Sequence, residues 1–456
     1  MAPRNDRKKR YCEPHRGEAI TNIMMKLLIK NGRVIDPENN LDDISDILVE
    51  NSKISKVARN IKANGAQVID ASGKIVLPGL VDIHVHLREP GREDKETVKS
   101  GTAAALKGGV TSVLAMPNTQ PAIDSAENVE LLKNIIKDSA HANVFVCGAI
   151  TVGRLGQELT EIAKLKKEGA IAVSDDGSSV DSKELMQEAL KIAKEERVLL
   201  ICHCEDKVLS ANGVVNLGLT STRMGLRGIS KESEYKRVAR DIELAEKTGV
   251  PLHIAHVSCN ESVEIISAAK KKGIRVTAET APHYFSLDES AVVGYDTNMK
   301  MNPPLRSRSD MLAIRQGLSD GTIDAIASDH APHTENEKEI EFERAEFGVI
   351  GLETELAVSI TELVHTGILD WKGLVSKLAL NPAKILGINK GTLSAGADAD
   401  IIVVSPDQEW LVEKGSFISK SKNSCFLGRK LRGVVEYTIC AGKIVFEIAS
   451  PLRGSQ

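Results

Sequence analysis

The sequence predicts an α/β protein in which a (β/α)8 barrel is joined to a small β-sandwich built by both ends of the chain. In the middle of the chain, eight short apolar runs alternate with helical stretches, as in a parallel barrel of the TIM type. The flanking segments contain only strand and turn patterns. A length of 456 residues also fits one large barrel with a small second domain better than three equal domains.

The N-terminal part divides into two segments. Residues 1–24 are polar and basic and lack an apolar signal core, so we predict a disordered extension or a tag there. Residues 25–78 form the first part of the sandwich and begin with the strand-like run Leu27–Lys30. Asn31-Gly32 separates this run from Arg33–Asp36, and Asn-Gly between such runs predicts a tight hairpin turn.

The barrel is predicted over residues 79–388. Its strand-like runs are Val81–Leu87, Val110–Met116, Val144–Ile150, Ile171–Ser174, Val198–His203, Leu252–Val257, Ile274–Glu279 and Ile323–Ser328. Helical patterns fill the gaps, for example at Glu96–Leu106, Leu185–Ala193 and Ser233–Lys247. A doubly wound open sheet is the alternative architecture. The number of strands, and the polar residues at their ends, favour the barrel.

Residues 389–448 return to strand patterns and are expected to complete the sandwich. The runs are Asp400–Val404, Val434–Ile439 and Lys443–Phe446, and Ala441-Gly442 lies between the last two. Each terminal segment is too small to form a stable core by itself, so the two are expected to share one. Residues 449–456 are assigned as a tail.

The composition argues against a nucleic-acid or membrane partner. The formal net charge is −4 and aromatic residues make up 3% of the chain, so there is neither a global basic field nor a stacking surface for bases. No apolar run approaches the roughly 20 residues of a membrane-spanning helix. The charge balance favours an enzyme that acts on a small molecule. The seven cysteines are odd in number and scattered, which predicts a reduced, cytoplasmic protein.

His84 and His86 lie two residues apart at the end of the first barrel strand. Residues i and i+2 of a strand point to the same face, so both imidazoles are expected to face the barrel interior, where they can bind a metal such as zinc. Two buried, hydrogen-bonded histidines are the alternative explanation. His253 lies three residues before His256 and is therefore expected to face the surrounding helices.

Further polar residues stand at the ends of other predicted strands. Asp175 or Asp176 ends the fourth strand, His203 the fifth, His256 the sixth and Asp329 the eighth. The carboxyl ends of barrel strands meet at one face, where active sites are built. Several histidines and carboxylates converging there fit one or two metal ions, whereas core packing explains a single buried aspartate but not this set.

Four segments resemble the cyclic amidohydrolases, and together they resemble the dihydroorotase family. The segments are Gly79–Arg88, Met116–Thr119, Asn302–Arg306 and Asp329–His333. The resemblance runs from about residue 25 to residue 447, with the motifs in family order. It implies a metal-bearing barrel with a β-sandwich formed from both chain ends.

The fourth strand distinguishes the branches of this superfamily. Hydantoinases, allantoinases and one class of dihydroorotase resemble one another in bridging two metals with a carboxylated lysine at this strand. Here the strand ends in Val173–Gly177 and contains no lysine. This is similar to the other dihydroorotase class, in which an aspartate takes the lysine's place. The resemblance assigns that role to Asp176, with Asp175 as the adjacent alternative.

The resemblance implies the reversible cyclisation of N-carbamoyl-L-aspartate to L-dihydroorotate, with loss of water, in pyrimidine (UMP) biosynthesis. The expected zinc ligands, for one or two ions, are His84, His86, Asp176, His203, His256 and Asp329. Asp329 is the expected general base and acid, because it can take a proton from the attacking water and pass it to the leaving nitrogen. The residues expected to contact the substrate are His86, Arg88, Asn118, Asn302, His333, Phe347 and Gly348.

Two of these substrate residues have explanations from the sequence itself. Arg88 lies two positions after His86, hence on the same face if the strand continues, and its guanidinium group suits the substrate carboxylate that does not react. A surface ion pair is the alternative for Arg88, and a turn role after Pro117 is the alternative for Asn118. The charged stretch between His333 and Gly348 is expected to form a mobile lid or a solvated loop.

Two other functions remain as alternatives. A hydantoinase or allantoinase is disfavoured by the missing lysine and by the Arg88 and Asn118 pair. A non-catalytic scaffold homologue is disfavoured because every expected ligand is present. The resemblance also allows a homo-oligomer and an association with aspartate transcarbamoylase.

Overall fold

A computed structural model describes residues 26–448. The predictions for residues 1–24 and for the tail from residue 449 lie outside the described residues. The chain begins with five strands: β1 (Lys26–Asp36), β2 (Leu41–Glu50), β3 (Lys53–Ala58), β4 (Gln67–Asp70) and β5 (Ile75–Pro78). Strands β1, β2 and β3 are antiparallel neighbours, whereas β4 and β5 run parallel to β1.

The predicted hairpin turn at Asn31-Gly32 is wrong. Both residues lie inside β1, where the pairing with β2 shifts in register between Ile29 and Gly32. Asn31 adopts a left-handed conformation with φ 62° and donates its backbone N–H to Asp46 Oδ1 at 2.9 Å. The Asn-Gly pair therefore forms a β-bulge, which has the same need for a positive φ as a tight turn.

Strands β6 to β15 follow in chain order. They are Leu80–Val85, Val110–Ala115, Asn143–Gly148, Ala170–Ser174, Leu199–Cys202, Val215–Asn216, Gly228–Ile229, Leu252–Ile254, Val276–Thr280 and Ala325–Ile326. The short strands β11 and β12 pair only with each other. The other eight form one parallel sheet in the order β15-β14-β13-β10-β9-β8-β7-β6. A parallel bridge between Val85 and His330 joins its two edges, so the predicted (β/α)8 barrel is confirmed.

Fourteen α-helices lie within the described residues. Helices α1 to α14 are Val98–Lys107, Ala126–Ser139, Ile162–Glu168, Lys183–Glu196, Lys207–Ser210, Leu219–Met224, Glu232–Thr248, Asn260–Lys271, Pro282–Ser286, Arg308–Asp320, Glu335–Lys338, Glu355–Ser359, Trp371–Val375 and Asn381–Leu386. Side-chain caps start several of them; Ser182, for example, accepts from the backbone N–H of Leu185 at α4. None of the helices within residues 26–448 is both long and apolar enough to cross a membrane.

The C-terminal strands are β16 (Ile401–Leu411), β17 (Lys430–Cys440) and β18 (Lys443–Glu447). β16 pairs antiparallel with β5, so strands from both chain ends form one continuous sheet in the order β18-β17-β16-β5-β1-β2-β3. Their apolar side chains share a core of their own, which includes Ile29 and Val76 from the first part and Ile401 and Ile439 from the last. The expected shared β unit is therefore confirmed, with a single sheet enclosing its core.

A bulge in β6 sets the direction of the first two site histidines. The pairing of β6 with β7 advances three residues from Asp82 to Val85, but only two on the opposite strand. The extra residue resets the alternation of side chains at the end of the strand. His84 and His86 are both buried, and both reach the carboxylates described below.

Candidate active site

A cavity of about 330 Å³ opens at the carboxyl ends of the barrel strands. This is the face at which barrel enzymes place their reactive groups. Nearly all of the site residues predicted from the sequence line this cavity: His86, Arg88, Asn118, Asp176, His203, His256, Asn302, Asp329, His333, Phe347 and Gly348. His84 is fully buried and contacts the same carboxylates.

Asp176 lies at the centre of the histidine cluster. Its Oδ1 is 3.2 Å from His84 Nε2, 3.4 Å from His203 Nδ1 and 3.4 Å from His256 Nε2. Its Oδ2 is 3.4 Å from His86 Nε2. Burial opposes ionisation of this carboxyl, but the charge of His84 and the close ring nitrogens of His203 and His256 hold its pKa well below the usual value.

Asp175 points away from this cluster. Its Oδ1 accepts the backbone N–H groups of Ile150 and Thr151 at 2.8 and 3.0 Å, and its Oδ2 accepts the Thr151 hydroxyl. With these bonds Asp175 holds the loop after β8. Of the two adjacent aspartates considered from the sequence, Asp176 is therefore the one that reaches the histidines.

Asp329 is the second carboxylate that contacts His86 and His84. Its Oδ1 is 3.2 Å from His86 Nε2 and 3.7 Å from His84 Nε2. Although burial favours the neutral acid, the contact with His86 Nε2 and the nearby histidine charges lower the pKa of Asp329 to about 2. The carboxylate is therefore ionised at neutral pH and able to accept a proton.

The donor atoms of the cluster fit a metal ion. His84 Nε2 and Asp176 Oδ1 are buried and have no hydrogen-bond partner within the described part of the chain. Two overlapping groups bring ligand atoms within 4.8 Å of one another: His84, His86 and Asp329, and His84, Asp176 and His256. Buried imidazoles and carboxylates without other partners are the ligand set that zinc takes in catalytic sites.

Neighbouring acceptors fix which nitrogen of each histidine faces the cluster. His84 Nδ1 donates to Glu279 Oε1 at 2.7 Å, and His86 Nδ1 donates to Asn118 Oδ1 at 2.7 Å. Each ring therefore presents Nε2 to the carboxylates. Hydrogen bonds of this kind orient metal-ligating histidines and raise their basicity. Asn118 thus contacts His86, which its sequence position after Pro117 did not indicate.

Sequence reasoning missed Glu279 and misplaced His253. Glu279 is the last residue of the strand-like run predicted over Ile274–Glu279 and the penultimate residue of β14, so its place near a strand end was an available signal. The expectation that His253 faces the helices is wrong. His253 Nε2 lies 3.1 Å from Glu279 Oε2, so its ring supports the acceptor of His84. The direction of the His253 side chain cannot be counted back from His256 by strand alternation, because β13 ends at Ile254, before His256.

Arg88 lines the cavity, but it does not lie on a continuation of the strand as expected. Strand β6 ends at Val85, and Arg88 adopts φ 64°, so the strand alternation does not continue to it. Its Nε donates to Pro332 O at 3.1 Å, which holds the guanidinium group at the cavity wall. His256 and Asp329 also have positive φ, at 36° and 47°. Such conformations are costly for these residue types and cluster at functional sites.

Residues 334–348 form a strap that closes one side of the cavity. Lys300 donates to the carbonyls of Phe342 at 2.9 Å and Glu343 at 3.0 Å, and Lys338 donates to those of Glu346 at 2.8 Å and Gly348 at 3.0 Å. Both lysines are buried. Phe347 and Gly348 line the cavity at the end of the strap, as expected. The mobility of this segment stays a prediction.

Three basic residues that the sequence did not single out also line the cavity: Arg92, Lys95 and Arg154. Arg154 donates to Asp176 O at 2.6 Å, and Lys95 lies 3.0 Å from His333 Nδ1. Asn302 donates to Glu205 Oε2 at 3.2 Å, and the same oxygen lies 3.3 Å from His203 Nε2. The cavity therefore favours an anionic ligand beside the histidine and aspartate cluster.

The sequence matches a family model described as dihydro-orotase-like over residues 73–262. A dihydroorotase from Elusimicrobium minutum is 52% identical over 93% of this chain and 98% of its own length. A dihydroorotase from Geobacter metallireducens is 51% identical over 93% of this chain and all of its own length. The similarity thus extends over almost the whole of each protein.

Solved structures of related enzymes share the fold. An L-hydantoinase (dihydropyrimidinase) from Arthrobacter aurescens superimposes with a TM-score of 0.84 and 26% identity, over 93% of this chain and 96% of its own. A D-hydantoinase superimposes with a TM-score of 0.83 and 25% identity, over 93% and 95% of the two chains. The barrel and the sheet from both chain ends are thus a fold that this chain shares with these hydantoinases.

Proposed function

The chain belongs to the dihydroorotase family of cyclic amidohydrolases, and from this premise we propose that it interconverts N-carbamoyl-L-aspartate and L-dihydroorotate at a zinc site in the barrel. The observation that carries the proposal is the combination of 52% identity to a dihydroorotase with a complete cluster of buried histidines and aspartates. The step belongs to pyrimidine biosynthesis. A hydantoinase activity is less well supported, because the hydantoinases are only 25–26% identical.

The proposed zinc ligands are His84, His86, Asp176, His203, His256 and Asp329, for one or two ions. Asp176 takes the place of the carboxylated lysine that bridges two metals in hydantoinases. Its support is its central position, within 3.4 Å of a nitrogen of four histidines. When bound, zinc supplies Lewis acidity that polarises the amide carbonyl and acidifies a water molecule.

Asp329 acts as general base and acid in this proposal. During ring opening it accepts a proton from the attacking water and delivers it to the ring nitrogen as the amide C–N bond breaks. In ring closure the same carboxylate moves the proton in the opposite direction. Its support is its place on the cavity wall, with Oδ1 3.2 Å from His86 Nε2 and 3.7 Å from His84 Nε2.

The non-reacting carboxylate of the substrate binds to Arg88, with His333 and Asn118 beside it. A guanidinium group offers two parallel N–H donors to a carboxylate, and Arg88 Nη2 lies 3.3 Å from His333 Nε2, so both groups face one spot. Asn302, Phe347 and Gly348 bind the ring or the carbamoyl group from the other walls.

The direct test combines a metal measurement with a substrate comparison. The purified protein is analysed for bound zinc, and ring opening of dihydroorotate, hydantoin and allantoin is measured under the same conditions. We expect turnover of dihydroorotate at a rate well above that of the other two. Absence of dihydroorotate turnover by zinc-loaded protein would sink the proposal, and faster opening of hydantoin would assign the chain to the alternative.

Location and assembly complete the proposal. We place the protein in the cytoplasm, supported by six cysteines of the described residues that are buried as free thiols. Homo-oligomerisation and association with aspartate transcarbamoylase follow from the family resemblance. Size-exclusion chromatography at micromolar concentration tests both. Elution of the protein alone at the volume of a monomer would contradict homo-oligomerisation. An elution volume that does not change when that enzyme is added would contradict the association.

A further inference from the structure

The His333 ring lies between two sets of polar groups. On the side of Nδ1 are Lys95 Nζ at 3.0 Å and Glu337 Oε2 at 3.4 Å. On the side of Nε2 are Phe347 O at 2.8 Å and Arg88 Nη2 at 3.3 Å. A neutral imidazole carries one proton, so only one nitrogen can donate, and the other must accept.

The distances decide which nitrogen carries the proton. If Nε2 carries it, Nε2 donates to Phe347 O and Nδ1 accepts from Lys95, which uses the two short contacts. If Nδ1 carries it, Nδ1 donates to Glu337 and Nε2 accepts from Arg88, which uses the two long ones. The oxygen of Glu337 in question already accepts the backbone N–H and the hydroxyl of Thr334, at 3.0 and 3.1 Å. The geometry therefore favours the first form.

We propose that Lys95 is a positioning residue that holds His333 as the Nε2–H tautomer, so that the N–H donated to Phe347 O in this structure is shared with the substrate carboxylate when it binds beside Arg88. The inference rests on the proposed function, which places that carboxylate at Arg88 and His333. The ammonium group has three N–H donors and no lone pair, so it bonds to Nδ1 only when Nδ1 carries no proton. In the other tautomer, Nε2 carries a lone pair and cannot donate a hydrogen bond to the substrate carboxylate.

Lys95 is fixed for this task by its surroundings. Its side chain is buried, and Nζ also lies 2.9 Å from Glu337 Oε1, which accepts from Arg92 Nη2 at 2.7 Å. The ion pair neutralises the buried charge of Lys95 and leaves another of its three N–H donors for His333. Burial and the neighbouring cations Arg88, Lys95 and Lys338 lower the pKa of His333 to about 3, so the ring stays neutral during turnover.

The tautomer can be read directly by nitrogen NMR of protein labelled with ¹⁵N in its histidines, with His333→Asn identifying the His333 signals. In the wild-type protein we expect the protonated resonance at Nε2. In Lys95→Met, Glu337 becomes the remaining partner of Nδ1, and we expect the proton to move there. A wild-type protein with the proton on Nδ1 overturns the proposal without any variant.

Kinetics supply the second readout. For Lys95→Met we expect the KM for dihydroorotate to rise about tenfold, since a hydrogen bond to a charged group is lost, while kcat stays within about twofold. Lys95→Arg, which keeps a cationic donor, should recover part of this loss. Glu337→Gln is the comparison variant: it removes the ion pair but keeps Lys95 as a donor to Nδ1, and we expect a smaller rise in KM than in Lys95→Met.

Two results overturn the inference. One is an unchanged KM in Lys95→Met. The other is a rise in the KM of Glu337→Gln as large as that of Lys95→Met, because this would show that loosening of the strap causes the effect. Failure of the proposed function looks different, because the wild-type enzyme would then not open dihydroorotate at all. The NMR readout requires no turnover, so it tests Lys95 in either case.

Discussion

Asp329 combines an ionised carboxylate, a positive φ and two histidine neighbours at one position of the cavity wall. Asp329→Asn keeps the size of the side chain but cannot accept a proton. We expect kcat to fall by about 10²–10⁴, the usual contribution of general acid–base catalysis, while dihydroorotate still binds. Turnover, calorimetric binding and zinc content are measured on the same preparation. A kcat near the wild-type value would show that another group moves the proton.

Arg88 carries the second prediction for a single residue. Arg88→Ala removes the bidentate donor for the substrate carboxylate, and we expect the KM for dihydroorotate to rise about tenfold or more, with a smaller change in kcat. Arg88→Lys keeps the charge but loses the planar fork of donors, so its KM for dihydroorotate should lie between the values of the wild-type protein and Arg88→Ala. An unchanged KM in Arg88→Ala would refute the carboxylate role.

Glu279 lies outside the cavity lining, yet it accepts from His84 and is fully buried. Glu279→Gln removes the charge that holds His84 with Nε2 towards the cluster. We expect zinc affinity to fall about 10–100-fold, as for other residues that orient metal ligands, measured by competition with a chelator. The exposed Glu264→Gln is the control. Equal zinc affinity in the two variants would show that Glu279 does not orient His84 for zinc binding.

Among the structural elements, the strap is held by two buried lysines, Lys300 and Lys338, in addition to the buried side chain of Phe342. Burial and the charge of Lys300 lower the pKa of Lys338 to about 7 from an ordinary value of 10.5. Between these pH values the unfolded chain binds the proton and the folded chain does not. The Lys338 contribution therefore makes the free energy of unfolding increase with pH over this window, and it levels off below about pH 7.

Lys338→Met tests this contribution. We expect the free energy of unfolding, measured by urea denaturation from pH 6 to about pH 10, to rise less steeply in the variant than in the wild-type protein. Lys99→Met, at an exposed position of α1, should leave the slope unchanged. Parallel profiles for wild type and Lys338→Met would mean that Lys338 is charged in the folded protein.

The structural elements also show which features could be predicted from the sequence. The eight barrel strands could be predicted because each buried strand is a short apolar run, and most polar site residues because they stand where such runs end. The path of Arg88, the bulge at Asn31 and the inward ring of His253 could not. Each depends on a tertiary partner, namely Pro332, Asp46 and Glu279, that no local pattern specifies.

At the scale of the whole molecule, the barrel is accompanied by a sheet whose core joins both chain ends. Ile401 is fully buried in that core and lies between Pro78 of β5 and Ile439 of β17. We expect Ile401→Ala to lower the free energy of unfolding by about 2–5 kcal/mol. The control is Val445→Ala on β18, whose side chain is 40% exposed and should change stability by about 0.5 kcal/mol or less. Similar losses in both variants, measured by urea denaturation, would contradict a joint core.

The pairing of β5 with β16 has a consequence for biosynthesis. During translation β5 leaves the ribosome before the barrel does, whereas its partner strand is made only after the barrel is complete. At about 5–20 residues per second, the edge of β5 waits on the order of tens of seconds for its neighbour. An unpaired edge with a buried apolar face is a site for aggregation. The nascent chain is therefore most in need of a chaperone while its active site is already taking shape.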